Sequence, residues 1–159
     1  MIEVDVFGLP APRARPARPD LPDAAGIRAL SRAAAARAGM HEGHLAVEFV
    51  DAARIAQLNA EHRREPHPTD VLSFPIDGAG SARGGDSLDG GAARVRARAQ
   101  HSDRELGDVV ICLEHTSDVR EAIVHGVLHL AGMDHETDDG EMLALQREVL
   151  DAASAHGAP

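Results

Sequence analysis

His125, His129 and His135 fall at i, i+4 and i+10 within HGVLHLAGMDH, residues 125–135. On a helix the first two lie one turn apart on one face. Imidazoles so placed can take two adjacent positions of a tetrahedral metal. Gly132 can leave the helix with φ > 0 and turn the chain sharply, so that His135 returns as a third ligand. Three nitrogens leave the fourth position open, as in a catalytic rather than a structural zinc site. A buried histidine alone is usually hydrogen-bonded core. Three at this spacing around a helix-ending glycine fit a metal better than packing. Asp134 and Glu136 flank the last histidine and are candidate acceptors for ring N–H groups, Asp134 first. Ligand imidazoles must be neutral, so metal binding is expected to weaken below about pH 6.5.

The spacing is that of the zinc-peptidase motif HExxHxxGxxH, except that Gly126 stands where those enzymes carry Glu. That Glu takes a proton from zinc-bound water, and glycine has no side chain to do so. The ligand cage without the peptidase base points to a hydrolase that activates its reaction by another route. A zinc hydrolase of a peptide or amide is the weaker alternative.

The elements that must hold these residues follow from periodicity and caps. MIEVDVF alternates as a half-buried strand. GLPAPRARPARPDLPD follows, with five prolines and with Arg13, Arg15 and Arg18. It reads as a flexible, solvated loop near residues 8–22, whose arginines are a secondary candidate for polyanion contact. Asp23 caps a helix ending at Gly39. Residues 44–50 form a strand, and Asp51 caps a helix over 52–63 with Ile55 and Leu58 inward. TDVLSFP (69–75) holds a short strand ended by proline. Residues 77–105 lack apolar periodicity and read as a long flexible loop. LGDVVICL (106–113) is a buried strand. A helix capped near Ser117 or Asp118 carries the first two histidines to Gly132. TDDGEMLALQREVLDAA (137–153) reads as a last helix, with Met142, Leu145 and Val149 on one side. The expected fold is α+β: a single domain over 1–159, with a small mixed sheet of about four strands flanked by helices and the metal site on a core helix.

Composition narrows the function. At 43% hydrophobic residues the chain can build a core, but an aliphatic one, with three Phe and neither Trp nor Tyr. The lone Cys112 cannot form an internal disulfide and suits a cytoplasmic protein, where it is expected to fill a strand. No secretory signal or membrane span is expected. The net charge is −10 and uneven: residues 106–159 carry two Arg against eleven acids, whereas residues 1–64 carry nine against eight. A polyanion would have to meet the N-terminal part, or a metal that inverts the local field.

Three segments in order carry a resemblance. HGVLHLAGMDH resembles the signature of the YbeY family of metal-dependent endoribonucleases. LNAEHRREPHPTDVLSFP (58–75) is similar to that family's Leu-Asn, Arg and Thr-Asp-Val-Leu-Ser-Phe-Pro segment, and LGDVVIC to its Gly-Asp-Ile strand. The resemblance implies one Zn2+ per chain on His125, His129 and His135, and single-stranded RNA as substrate in the maturation of ribosomal RNA (16S) and in ribosome quality control. It also implies a small-subunit ribosomal protein and the Era GTPase as partners. The family's arginine maps onto Arg63; Arg64 is adjacent but off the motif position. The loop after TDVLSFP is longer than the family's and carries Arg94, Arg96 and Arg98. The stretch before the metal helix is shorter, and Met133 replaces an aromatic.

On this reading Arg63 binds a phosphate and stabilises developing charge, as a planar bidentate donor does better than Lys. Either the RNA 2′-OH or a metal hydroxide is the nucleophile. The missing Cβ of Gly126 is expected to leave room beside the metal for a phosphodiester. A different class of function is an RNA- and protein-binding ribosome-assembly factor with structural zinc. A fourth protein ligand, for which Cys112, Glu114 and His115 are candidates, would favour it.

Overall fold

The computed structural model describes residues 1–11, 13, 18–76 and 104–156. Four strands, β1 (Ile2–Phe7), β2 (Gly43–Val50), β3 (Val71–Pro75) and β4 (Glu105–Cys112), form one sheet of order β1-β2-β4-β3. β1 and β2 are parallel, as are β2 and β4, whereas β3 runs antiparallel to β4 along the edge. The helices are α1 (Ala24–Arg37), α2 (Ala52–Arg63), α3 (Val119–Leu130) and α4 (Glu141–His156). This is the small mixed-sheet α+β domain that the sequence predicts.

Alternation divides the sheet into two faces. Val109 and Ile111 of β4 join Leu45, Val47 and the apolar sides of α1, α3 and α4 in the main core. Val110 and Cys112 point the other way, into a smaller cluster with Leu72 and with Ile55 and Leu58 of α2. Cys112 is thus a buried strand residue, and burial pushes its thiol pKa up.

Helix starts follow the expected chemistry. The carboxylates of Asp23, Asp51 and Asp118 accept the backbone N–H groups of Gly26, Arg54 and Glu121, each three residues on. α3 ends in a Schellman turn: Gly132 has φ +87°, its N–H bonds the His129 carbonyl at 3.0 Å, and the Met133 N–H bonds that of Leu128 at 3.2 Å.

Three expectations are corrected. The loop near 8–22 is anchored at its C-terminal end. Arg18 pairs with Asp20 and also donates to the carbonyls of Leu113 (2.7 Å) and Ser117 (3.1 Å), and Leu21 is buried. Arg18 is therefore a clamp between this loop and the entry to α3, not a free polyanion contact. Arg15 lies outside the described residues. Second, α4 begins at Glu141, because Asp138 is spent as a cap: its carboxylate accepts the Gly140 and Met142 N–H groups. Third, Glu105, expected in the long loop, is the first residue of β4 and pairs with His44. The rest of that loop to residue 103, with Arg94, Arg96 and Arg98, lies outside the described residues.

Candidate metal centre

α3 is apolar and buried almost all round, with Val119, Ala122, Ile123, Val124, Val127, Leu128 and Leu130 in the core. Glu121, His125 and His129, four residues apart, form a stripe that is not buried. The turn after Gly132 brings His135 back against it. Ring centroids are 4.7 Å apart for His125–His129, 5.0 Å for His125–His135 and 5.5 Å for His129–His135. One ring nitrogen from each of the three lies within 4.8 Å of the others.

The side chains present fit a metal ion. His125 Nε2 and His129 Nε2 are 3.1 Å apart. Two nitrogens about 2.0 Å from a tetrahedral zinc stand about 3.3 Å apart. His135 Nδ1 is buried and has no hydrogen-bond partner among the described residues, an arrangement that costs stability unless something else occupies it. Burial, followed by the neighbouring His125, pushes the His129 pKa below its usual 6.5; a hydrogen bond to the Met133 backbone and the Asp134 charge act the other way. The neutral, metal-binding form of His129 thus extends further into acid than that of a free imidazole.

Among the described residues, this histidine trio is the one cluster of metal-ligating groups. Cys112 points to the α2 side of the sheet, and the exposed Glu114 and His115 sit in a 3₁₀ turn, Leu113–His115, before α3. None of the three joins it.

The histidines lie in a cleft of about 900 Å³ whose wall also includes Arg63, Ser73, Thr116 and Met133. Arg63, the last residue of α2, is exposed and has no ion-pair partner among the described residues. Asn59 lies one turn back on α2. The Asn59 amide is buried and donates to the His67 carbonyl at 2.9 Å, folding the 64–70 loop against α2. Arg64 caps α2 in the left-handed conformation, φ +57°, and does not line the cleft. Asp134 does line it, but its carboxylate accepts the Glu136 N–H at 3.0 Å and its carbonyl accepts those of Thr137 and Asp138. Its hydrogen bonds shape the turn that presents His135, and its charge acts on His129.

His125 also has a partner on α4: its Nδ1 is 2.8 Å from Gln146 Oε1. Sequence reasoning missed Gln146. The signal was a polar residue beside Met142, Leu145 and Val149 on the inward side of α4. Gly126 is also placed differently from expectation. Its bare Cα faces the sheet, against Val109 and Ser73, not the cleft.

A family model described as Endoribonuclease YbeY matches residues 24–154. An Endoribonuclease YbeY of Bacillus cytotoxicus is 34% identical over 141 residues, covering 79% of this chain and 83% of that protein. One from Acidothermus cellulolyticus is 38% identical over 122 residues, 68% of this chain and 69% of the relative. A solution structure of a Thermotoga maritima protein aligns with 96% of this chain and 90% of its own at 19% identity, with a TM-score of 0.48. With the matched segment running from α1 through the histidine trio and most of α4, the chain belongs to the YbeY family.

Proposed function

We propose that the protein is a zinc-dependent endoribonuclease of single-stranded RNA, acting on ribosomal RNA (16S) in its maturation and quality control. The observation that carries this reading is the meeting, in one cleft, of three histidines from α3 and the following turn with Arg63 of α2, which has no ion-pair partner among the described residues. The whole chain, 1–159, acts as one hydrolase domain in the cytoplasm, with a small-subunit ribosomal protein and the Era GTPase as partners. Within the described residues no helix is long and apolar enough to cross a membrane.

His125, His129 and His135 would hold one zinc ion, whose chemistry is Lewis acidity toward a phosphoryl oxygen. Arg63 supplies a fixed, planar fork of donors for a phosphate. The cleft wall otherwise carries Glu65, Asp70, Asp118, Glu121, Asp134 and Glu136. These carboxylates repel a phosphodiester backbone everywhere except near Arg63 and the ion. RNA is therefore admitted in the register that places a phosphate between them. No side chain is assigned as general base.

Purified protein is incubated with single-stranded RNA, with and without chelator, beside His129→Ala. Cleavage that disappears on chelation, returns with zinc and is absent in His129→Ala supports the proposal. Cleavage that survives both treatments overturns it.

A further inference from the structure

Gln146 is a buried polar residue, 7% exposed, on the core side of α4. Its Oε1 meets His125 Nδ1 at 2.8 Å, and its Nε2 meets Glu121 Oε1 at 3.2 Å. Glu121 lies one turn before His125 on the exposed stripe of α3. Two helices are thus joined by one chain of hydrogen bonds, carboxylate to amide to imidazole.

We infer that Glu121 and Gln146 are positioning residues that fix the ring orientation and tautomer of His125. The inference rests on the reading of His125 as a metal ligand. A carboxylate offers only acceptors, so the end of Gln146 that faces Glu121 must be its NH2 group. The opposite end, the carbonyl oxygen, then faces His125 and can only accept. Nδ1 must therefore carry the proton. A neutral imidazole has a single N–H, so Nε2 keeps its lone pair. Nε2 is the atom that points at His129 Nε2, 3.1 Å away.

The carboxylate is what makes the order unambiguous. A primary amide can turn over and present either end at similar cost. With Glu121 in place, a turned Gln146 would set oxygen against oxygen. Without it, the amide can present NH2 to His125, which moves the ring proton to Nε2 and removes a ligand. An exposed glutamate thus controls a buried amide, and the amide controls a ligand lone pair.

The test uses the full chain freed of metal by chelation. Long-range 1H–15N spectra should show His125 protonated at Nδ1 and bare at Nε2. Gln146→Leu, similar in volume but without polar ends, should mix the tautomers and weaken zinc binding about 10- to 100-fold. Gln146→Glu combined with Glu121→Gln, which keeps an acceptor at Nδ1 and a donor between the two side chains, should recover most of the affinity. Glu121→Leu should give a smaller loss and a mixed tautomer. Thermal melting of the metal-free forms separates these effects from unfolding. If Gln146→Leu does not fold, the exchanged pair and Glu121→Leu decide the matter on the same two readouts. A Gln146→Leu or Glu121→Leu protein that keeps a single His125 tautomer and wild-type zinc affinity overturns the inference. If wild type binds no zinc, the metal-centre reading fails, whereas the tautomer spectra still decide whether the relay exists.

Discussion

Gly126 of α3 lies so close to Val109 of β4 that a Cβ on the glycine would fall well inside 3.0 Å of the Val109 Cγ1 methyl, with Cγ2 at 3.1 Å and Ser73 Oγ at 3.2 Å. Val109 is fully buried and β-branched, so it has little freedom to withdraw. Ser73 Oγ donates to the Gly126 carbonyl at 3.0 Å, which draws helix and sheet together at the same point. Gly126→Ala should gain up to ~1 kcal/mol of helix propensity. Overpacking opposes this with about 1–3 kcal/mol. The variant should be less stable by urea denaturation, and Val109→Ala should partly rescue it in the double mutant. A Gly126→Ala protein as stable as wild type would mean that the helix does not pack on β4 as described.

Arg63 should separate from Arg18 by the kind of damage its loss does. Arg63→Lys removes a bidentate fork at an exposed helix end, so it should reduce RNA cleavage about tenfold or more while changing stability by no more than about 0.5 kcal/mol. Arg18→Lys loses the fork that bonds both Asp20 carboxylate oxygens and also reaches the Leu113 and Ser117 carbonyls. It should lower the melting temperature and leave cleavage by the folded protein near wild type. Cleavage and melting measured on the two variants give opposite patterns, or the assignment of Arg63 to the site fails.

Asp20 gives the acid side of the stability curve a defined contribution. Its carboxylate pairs with Arg18 and accepts the Val119 N–H at 2.9 Å. The Arg18 hydrogen bond is the main reason that its pKa lies below the usual 3.8. A depressed folded pKa means that the stabilisation is complete above the unfolded value and is lost as pH falls through the folded one. Asp20→Ala should cost about 1–2 kcal/mol at pH 7. The gap to wild type should stay flat down to about pH 5 and close at more acid pH. Denaturant midpoints across this range check it, and a gap that widens with acid would contradict the pairing.

Metal content should depend on the histidines and not on the single thiol. Wild type should take up about one zinc per chain in native mass spectrometry, and His135→Ala should lose it. Cys112→Ala should keep it, because Cys112 belongs to the α2 cluster. Zinc should raise the melting temperature of wild type by mass action, and chelation should reverse the shift. Loss of zinc in Cys112→Ala would put a fourth protein ligand in the site.

What the sequence determined by itself is local. Spacing of four on a helix sets His125 and His129 on one side, and a glycine able to adopt φ > 0 turns the chain back at Gly132. Both depend on neighbours within a few residues, so they are legible without a fold. The strands, the caps at Asp23, Asp51 and Asp118, and the family resemblance are of the same kind. The tertiary structure decided what depends on distant partners. Gly126 looked like space beside a metal until β4 supplied Val109. Arg18 looked like a free cation until the Leu113 carbonyl, 95 residues on, gave it a partner. Gln146 is one of several polar residues on an amphipathic helix, and only packing of α4 on α3 sets it against His125. A hydrogen bond or a steric limit belongs to a pair of residues. When the chain brings the pair together only by folding, neither residue alone records it.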